Sequence, residues 1–126
     1  MATHYEVAAR GLLRRYGDLE ALRGLDLHLE KGEFLGLLGP NGAGKTTSLR
    51  LISCLESRDG GDLEVLGNDP ESGRAVILDR LGVVPQELAI YDGLTALENL
   101  NFFAAMHGLT GAKARERVAW ALEASG

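Results

Sequence analysis

The chain has 126 residues, 45% of them hydrophobic and 25% charged, with a formal net charge of −5 at pH 7. This apolar content suffices for the core of one domain, or of part of one, and excludes a disordered tail; the acidic balance, with basic residues scattered apart from Arg14-Arg15, gives no nucleic-acid surface. The single cysteine, Cys54, excludes a disulfide framework within the chain, and His4, His28 and His107 share no spacing from which protein ligands alone would build a metal site.

Tyr5 to Arg10 reads as a short strand, and Leu22, Leu25, Leu27 and Leu29 fall in a second, closed by the turn Glu30-Lys31-Gly32. An apolar strand over Glu33 to Leu38 follows at once, so the N-terminal third is expected to be an antiparallel β-meander. Helical periodicity then runs over Ser48 to Leu55, from a start near Lys45, and places Cys54 as a packing residue of that helix. Asp59-Gly60-Gly61 reads as a turn, Leu63 to Leu66 as a strand and Gly67-Asn68-Asp69-Pro70 as another turn. Arg74 to Arg80 suits a short helix, and Leu81 to Val84 a buried strand stopped by Pro85. Thr95 and Glu98 have the T-x-x-E spacing of a capping box for a helix from about Ala96 to His107, stopped by Gly108; Thr110-Gly111 opens a final helix through Val118 and Leu122. No apolar run approaches the roughly 18 to 20 residues that cross a bilayer, and the N-terminus lacks the pattern of a secretory signal.

The chemistry is concentrated between the strand at 33–38 and the following helix. Gly39-Pro40-Asn41-Gly42-Ala43-Gly44-Lys45-Thr46-Thr47 fits the phosphate-binding pattern G-x-x-x-x-G-K-[ST] at every fixed position, in the strand-loop-helix context that the motif requires. Polyphosphate is a dense cluster of negative oxygens, and a loop holds it by presenting donors with no side chain in the way. Gly39, Gly42 and Gly44 permit close approach, so that N–H groups up to Thr47, those of Asn41 and Ala43 included, form an anion nest. The helix start adds its positive end, Lys45 reaches the β- and γ-phosphates as a point charge, and the Thr46 hydroxyl is placed to ligate a bridging Mg²⁺. A nucleoside triphosphate is therefore the expected ligand.

Together with Tyr16, this loop, Val84-Pro85-Gln86 and the run Leu94-Thr95-Ala96-Leu97-Glu98-Asn99-Leu100 resemble the nucleotide-binding domain of ABC transporters over nearly the whole chain. The resemblance implies an α/β P-loop NTPase fold: an antiparallel β-meander, a P-loop strand-helix core, and the start of a helical subdomain. Residues 1–87 would form the nucleotide-binding core and 88–126 the start of the α-helical subdomain, ending before the signature motif. It implies ATP and Mg²⁺ as cofactors, Tyr16 stacking on the adenine, and Gln86 approaching the Mg²⁺ through its amide oxygen. Partners would be a transmembrane permease subunit and a second nucleotide-binding domain, at the cytoplasmic face of a membrane. Loop residues Leu88, Ile90 and Tyr91 would face the membrane subunit, or fold back on the next helix. The segment 94–109 looks most like the ABC-2 exporter group.

The family's signature run, Walker B aspartate, catalytic glutamate and switch histidine are not in this sequence, so it carries the binding half of the ATPase chemistry and no catalytic residue. Strands that the family places beside the phosphate-loop strand are missing with them, and apolar strand faces should be exposed. One internal alternative is a compact P-loop kinase in which Val76-Ile77-Leu78-Asp79 is a Walker B strand and Asp79 holds Mg²⁺; a short helix is preferred there, because Arg74 and Arg80 flank the run and no glutamate follows Asp79. A third reading is a protein that binds ATP without turnover.

Overall fold

The computed structural model describes residues 4–126. It divides into two compact units, up to Val83 and from Val84 to Gly126.

The first unit is built on a three-stranded antiparallel sheet of β1 (Tyr5–Tyr16), β2 (Leu19–Glu30) and β3 (Gly60–Val65), in the order β2-β1-β3. The first strand is twice as long as its alternation suggested because a bulge carries it past Gly11. Val7 and Ala9 face the core at odd positions and Leu12 at an even one, so the inserted residue flips the parity of the strand. Gly11 adopts φ +57, its N–H donates to Asp26 Oδ1 at 2.8 Å, and on the other side Gly61, at φ +80, lies so close to the Gly11 carbonyl that any side chain would overlap it. Gly60 and Gly61, expected as a turn, are therefore the first two residues of β3.

Two helices cover this sheet, α1 (Lys45–Ile52) and α2 (Arg74–Arg80). Leu51 and Cys54 at the end of α1 and Ile77 of α2 join Val7, Ala9, Leu12, Leu22, Leu63 and Val65 in one apolar cluster. The helix expected to reach Leu55 stops at Ile52, because Cys54 turns left-handed at φ 59 and the N–H groups of Leu55 and Glu56 both close back on the Arg50 carbonyl, at 2.9 and 3.3 Å. Cys54 is buried just beyond the helix, and burial pushes its thiol pKa up, as befits a packing residue. The run 76–79 lies within helix α2 with Asp79 exposed, so it is not a Walker B strand.

Two expected strands do not form. Residues 33–38 and 81–84 have no regular secondary structure and no ladder partners among the described residues. The outer edges of β2 and β3 pair with neither segment, and the sheet stays three-stranded among the described residues. The meander accordingly ends at β2. Phe34 and Leu38 are essentially fully exposed, and Val84 is 96% exposed, as expected of strand residues without their neighbours.

The second unit is a helical pair, α3 (Ala96–Met106) and α4 (Gly111–Ala124), packed on each other with Ala104 and Val118 buried. The capping box forms as its spacing predicts: Glu98 N–H donates to Thr95 Oγ1 at 3.2 Å and Thr95 N–H to Glu98 Oε2 at 2.7 Å. Gly108, at φ +70, ends α3 one residue past His107. Buried Asn99 staples the preceding loop to α3: Oδ1 accepts from Tyr91 N–H at 2.8 Å, while Nδ2 lies 3.0–3.2 Å from the carbonyls of Tyr91, Leu94 and Thr95. Tyr91 packs edge-on against Phe102 at 4.9 Å, so its ring does fold back on the next helix, whereas Leu88 and Ile90 stay exposed.

Candidate phosphate-binding site

The loop between residue 38 and α1 is shaped by its own short-range contacts. Ala43 N–H donates to the Pro40 carbonyl at 3.2 Å, making a tight turn, and a side chain on Gly39 would sit 3.1 Å from the Ala43 methyl. Gly42 and Gly44 take φ +85 and +90, in the left-handed region. Gly44 has a second constraint. It is the N-cap of α1 and rests on β2, where an added Cβ would lie 2.6 Å from Leu22 Cδ2 and 2.7 Å from the Ala21 carbonyl oxygen. The sheet thus fixes where the helix begins.

Helix α1 has no side-chain cap and no acidic residue in its first turn, so the positive end of its dipole is uncompensated. Ser48 closes the first turn with both N–H and hydroxyl on the Gly44 carbonyl, at 2.8 and 2.7 Å. The N–H groups of Asn41, Gly42, Gly44, Lys45, Thr46 and Thr47 have no acceptor among the described residues. They surround a concavity of about 250 Å³ lined by Asn41, Gly42, Gly44, Lys45, Thr46 and Thr47. Lys45 Nζ folds across the loop and donates to the Gly39 carbonyl and, at 2.7 Å, to that of Pro40. A convergent set of donors with an ammonium group at its rim is an anion-binding arrangement.

The other two site residues predicted from sequence lie elsewhere in the chain. Tyr16 ends β1, with 38% of its surface exposed; the Arg14 guanidinium stacks on its ring at 4.7 Å, and its hydroxyl donates to Glu56 Oε2. Gln86 is exposed in the second unit, just after Pro85. The contacts to Glu56 were missed in the sequence reading, since 40 residues separate it from Tyr16 and only the adjacent basic pair Arg14-Arg15 hinted at a charged cluster.

The family model for ABC transporters matches residues 22–126, which include the whole loop, Gln86 and the capped helix. The chain belongs to the ABC transporter family. It is 44% identical over 115 residues to the linearmycin resistance ATP-binding protein LnrL of Bacillus subtilis, covering 91% of this chain and 37% of that protein. It is 38% identical over 120 residues to the daunorubicin/doxorubicin resistance ATP-binding protein DrrA of Streptomyces peucetius, and 35% identical over 114 residues to the Nod factor export ATP-binding protein I of Azorhizobium caulinodans. These alignments cover 95% and 90% of the chain and 36% of each relative, so the ABC chain spans little more than a third of the length of the curated relatives it matches. Among solved structures, a dimeric bacterial ABC transporter cassette aligns with TM-score 0.73 and 28% identity over 93% of this chain and 54% of that one. The same cassette in a post-hydrolysis state with ADP and Pi gives TM-score 0.75 and 26% identity over 93% and 56%. The fold is therefore that of a P-loop ABC ATPase.

Proposed function

We propose that this chain is the ATP-binding part of an ABC transporter ATPase subunit, with the polyphosphate of Mg-ATP held by residues 39–47. The observation that carries the reading is the set of N–H groups of Asn41, Gly42, Gly44, Lys45, Thr46 and Thr47, without acceptors among the described residues, at the bare N-terminus of α1, with Lys45 folded over them. On binding, the ammonium group exchanges the carbonyls of Gly39 and Pro40 for phosphate oxygens, an ion pair in place of two contacts to neutral acceptors. Thr46 supports a metal as well: its hydroxyl is exposed beside Lys45 and makes no hydrogen bond among the described residues, and hard Mg²⁺ takes oxygen ligands alongside phosphate. The Thr46 hydroxyl would hold Mg²⁺, which when bound neutralises phosphate charge. Tyr16 offers a ring for the adenine, where stacking is worth about 1–3 kcal/mol.

As part of a complete subunit, the chain would couple ATP binding and hydrolysis to transport by pairing with a second cassette and docking on a membrane permease. Among the described residues no helix is long and apolar enough to cross a membrane. The names of the relatives, two of drug resistance and one of Nod factor export, favour export as the direction. The test is calorimetry with Mg-ATP. Lys45→Ala should weaken binding by about 10- to 100-fold, the worth of one charge-assisted hydrogen bond; unchanged affinity in a folded Lys45→Ala protein would remove the loop from the reading.

A further inference from the structure

Tyr16 is held by more contacts than a surface tyrosine at a strand end needs. Its hydroxyl donates to Glu56, and the Arg14 guanidinium lies on its ring at 4.7 Å. The carboxylate of Glu56, only 18% exposed, also meets Arg14 Nε at 3.4 Å and Arg50 Nη1 at 3.2 Å. Arg50 belongs to the last turn of α1, the helix that starts at the phosphate loop, and the Glu56 N–H closes on the Arg50 carbonyl at 3.3 Å. Arg14 is held a second time by Asp59, whose Oδ1 lies 3.5 Å from Nη1 and whose Oδ2 accepts from the Arg15 N–H at 2.6 Å. One buried-leaning carboxylate thus ties the ring at the end of β1 to the far end of the phosphate helix.

We infer that Glu56 is a positioning residue for nucleotide binding: through the Tyr16 hydroxyl, and with Arg14 and Arg50 holding its carboxylate, it fixes the aromatic platform at a set place relative to the phosphate loop. This rests on the reading of Tyr16 as the adenine platform. Untethered, the phenol ring turns about two side-chain torsions, and each nucleotide would have to order it on binding, which lowers affinity. With Arg14 covering one face, a single face is left for the base. The tether acts only on ligands that have a base. It makes no difference to a bare polyphosphate, which touches the loop alone.

The experiment compares Mg-ATP with Mg-tripolyphosphate on the full chain by calorimetry, for wild type, Tyr16→Ala, Glu56→Ala and the double variant. Glu56→Ala should weaken ATP by about tenfold, within the range of one stacking contact, leave tripolyphosphate unchanged, and add nothing once Tyr16 is Ala, since the two act as one unit. Glu56→Gln keeps an acceptor for the hydroxyl but loses both ion pairs, should fold as wild type, and should give an intermediate loss confined to ATP. Equal loss of both ligands in either folded Glu56 variant, or no loss of ATP, overturns the inference and makes Glu56 a structural residue. The separate result that Tyr16→Ala leaves the preference for ATP over tripolyphosphate intact overturns the adenine reading itself.

Discussion

At the scale of single residues, the phosphate loop is held in place by glycines that differ in what they do. Gly44 needs both a left-handed backbone and the absence of a Cβ, because Leu22 and the Ala21 carbonyl press on it; Gly42 needs only the backbone, with nothing within 4 Å of where its Cβ would be. Gly44→Ala should therefore lose about 2–4 kcal/mol in urea unfolding, combining the left-handed penalty with overpacking against β2, while Gly42→Ala should lose about 1–2 kcal/mol. Equal losses would mean that β2 does not hold the helix start. The motif made Gly44 legible in advance, since it is a fixed position with a steric reason, whereas Gly42 stands at a variable one. It said nothing of Ala21 and Leu22, because contact with them depends on how the sheet lies under the loop.

At the scale of elements, helix α3 depends on polar groups that work as a set. Backbone and then side-chain hydrogen bonds from Thr95 hold the Glu98 carboxyl below the usual carboxylate range. A carboxyl with a depressed folded-state pKa contributes stability above its unfolded pKa and loses it as pH falls through the folded value. Helix α3 should accordingly fray on acidification from about pH 4.3 downward, followed by circular dichroism or by amide exchange in 96–99, and Glu98→Gln should remove that acid step; a step that survives Glu98→Gln would have another source. Thr95→Ala should destabilise the unit by about 1 kcal/mol. Asn99→Leu should cost about 1–3 kcal/mol, as the Tyr91 N–H and two loop carbonyls lose their partner. The capping box was readable because both of its members lie within four residues. The bulge at Gly11 was not, since breaking the period of two looks like the end of a strand, and the φ 59 of Cys54 that stops α1 leaves no mark in an apolar pattern.

On the scale of the whole molecule, two segments without ladder partners set its behaviour. The segments 33–38 and 81–84 have strand sequences and no neighbours to pair with, so Phe34, Leu38 and Val84 face solvent. Local sequence carries the tendency of a segment to be extended, but a ladder exists only when both strands are present. Polypeptide of these 126 residues alone should bind a hydrophobic dye and self-associate at micromolar concentration. Replacing Phe34 and Leu38 by Ser should reduce both effects, measured by fluorescence and light scattering; unchanged association would place the sticky surface elsewhere, for example at Leu88 and Ile90.

The central claim, that main-chain amides around Gly42 and Gly44 cradle the polyphosphate of ATP, is tested most directly by amide NMR during titration with Mg-ATP. The account predicts large downfield shifts concentrated at Gly42, Gly44, Lys45, Thr46 and Thr47, whose N–H groups have no acceptor among the described residues, with little change at Ala43 and Ser48, which are already bonded. Saturable binding that leaves those five amides unmoved would contradict it.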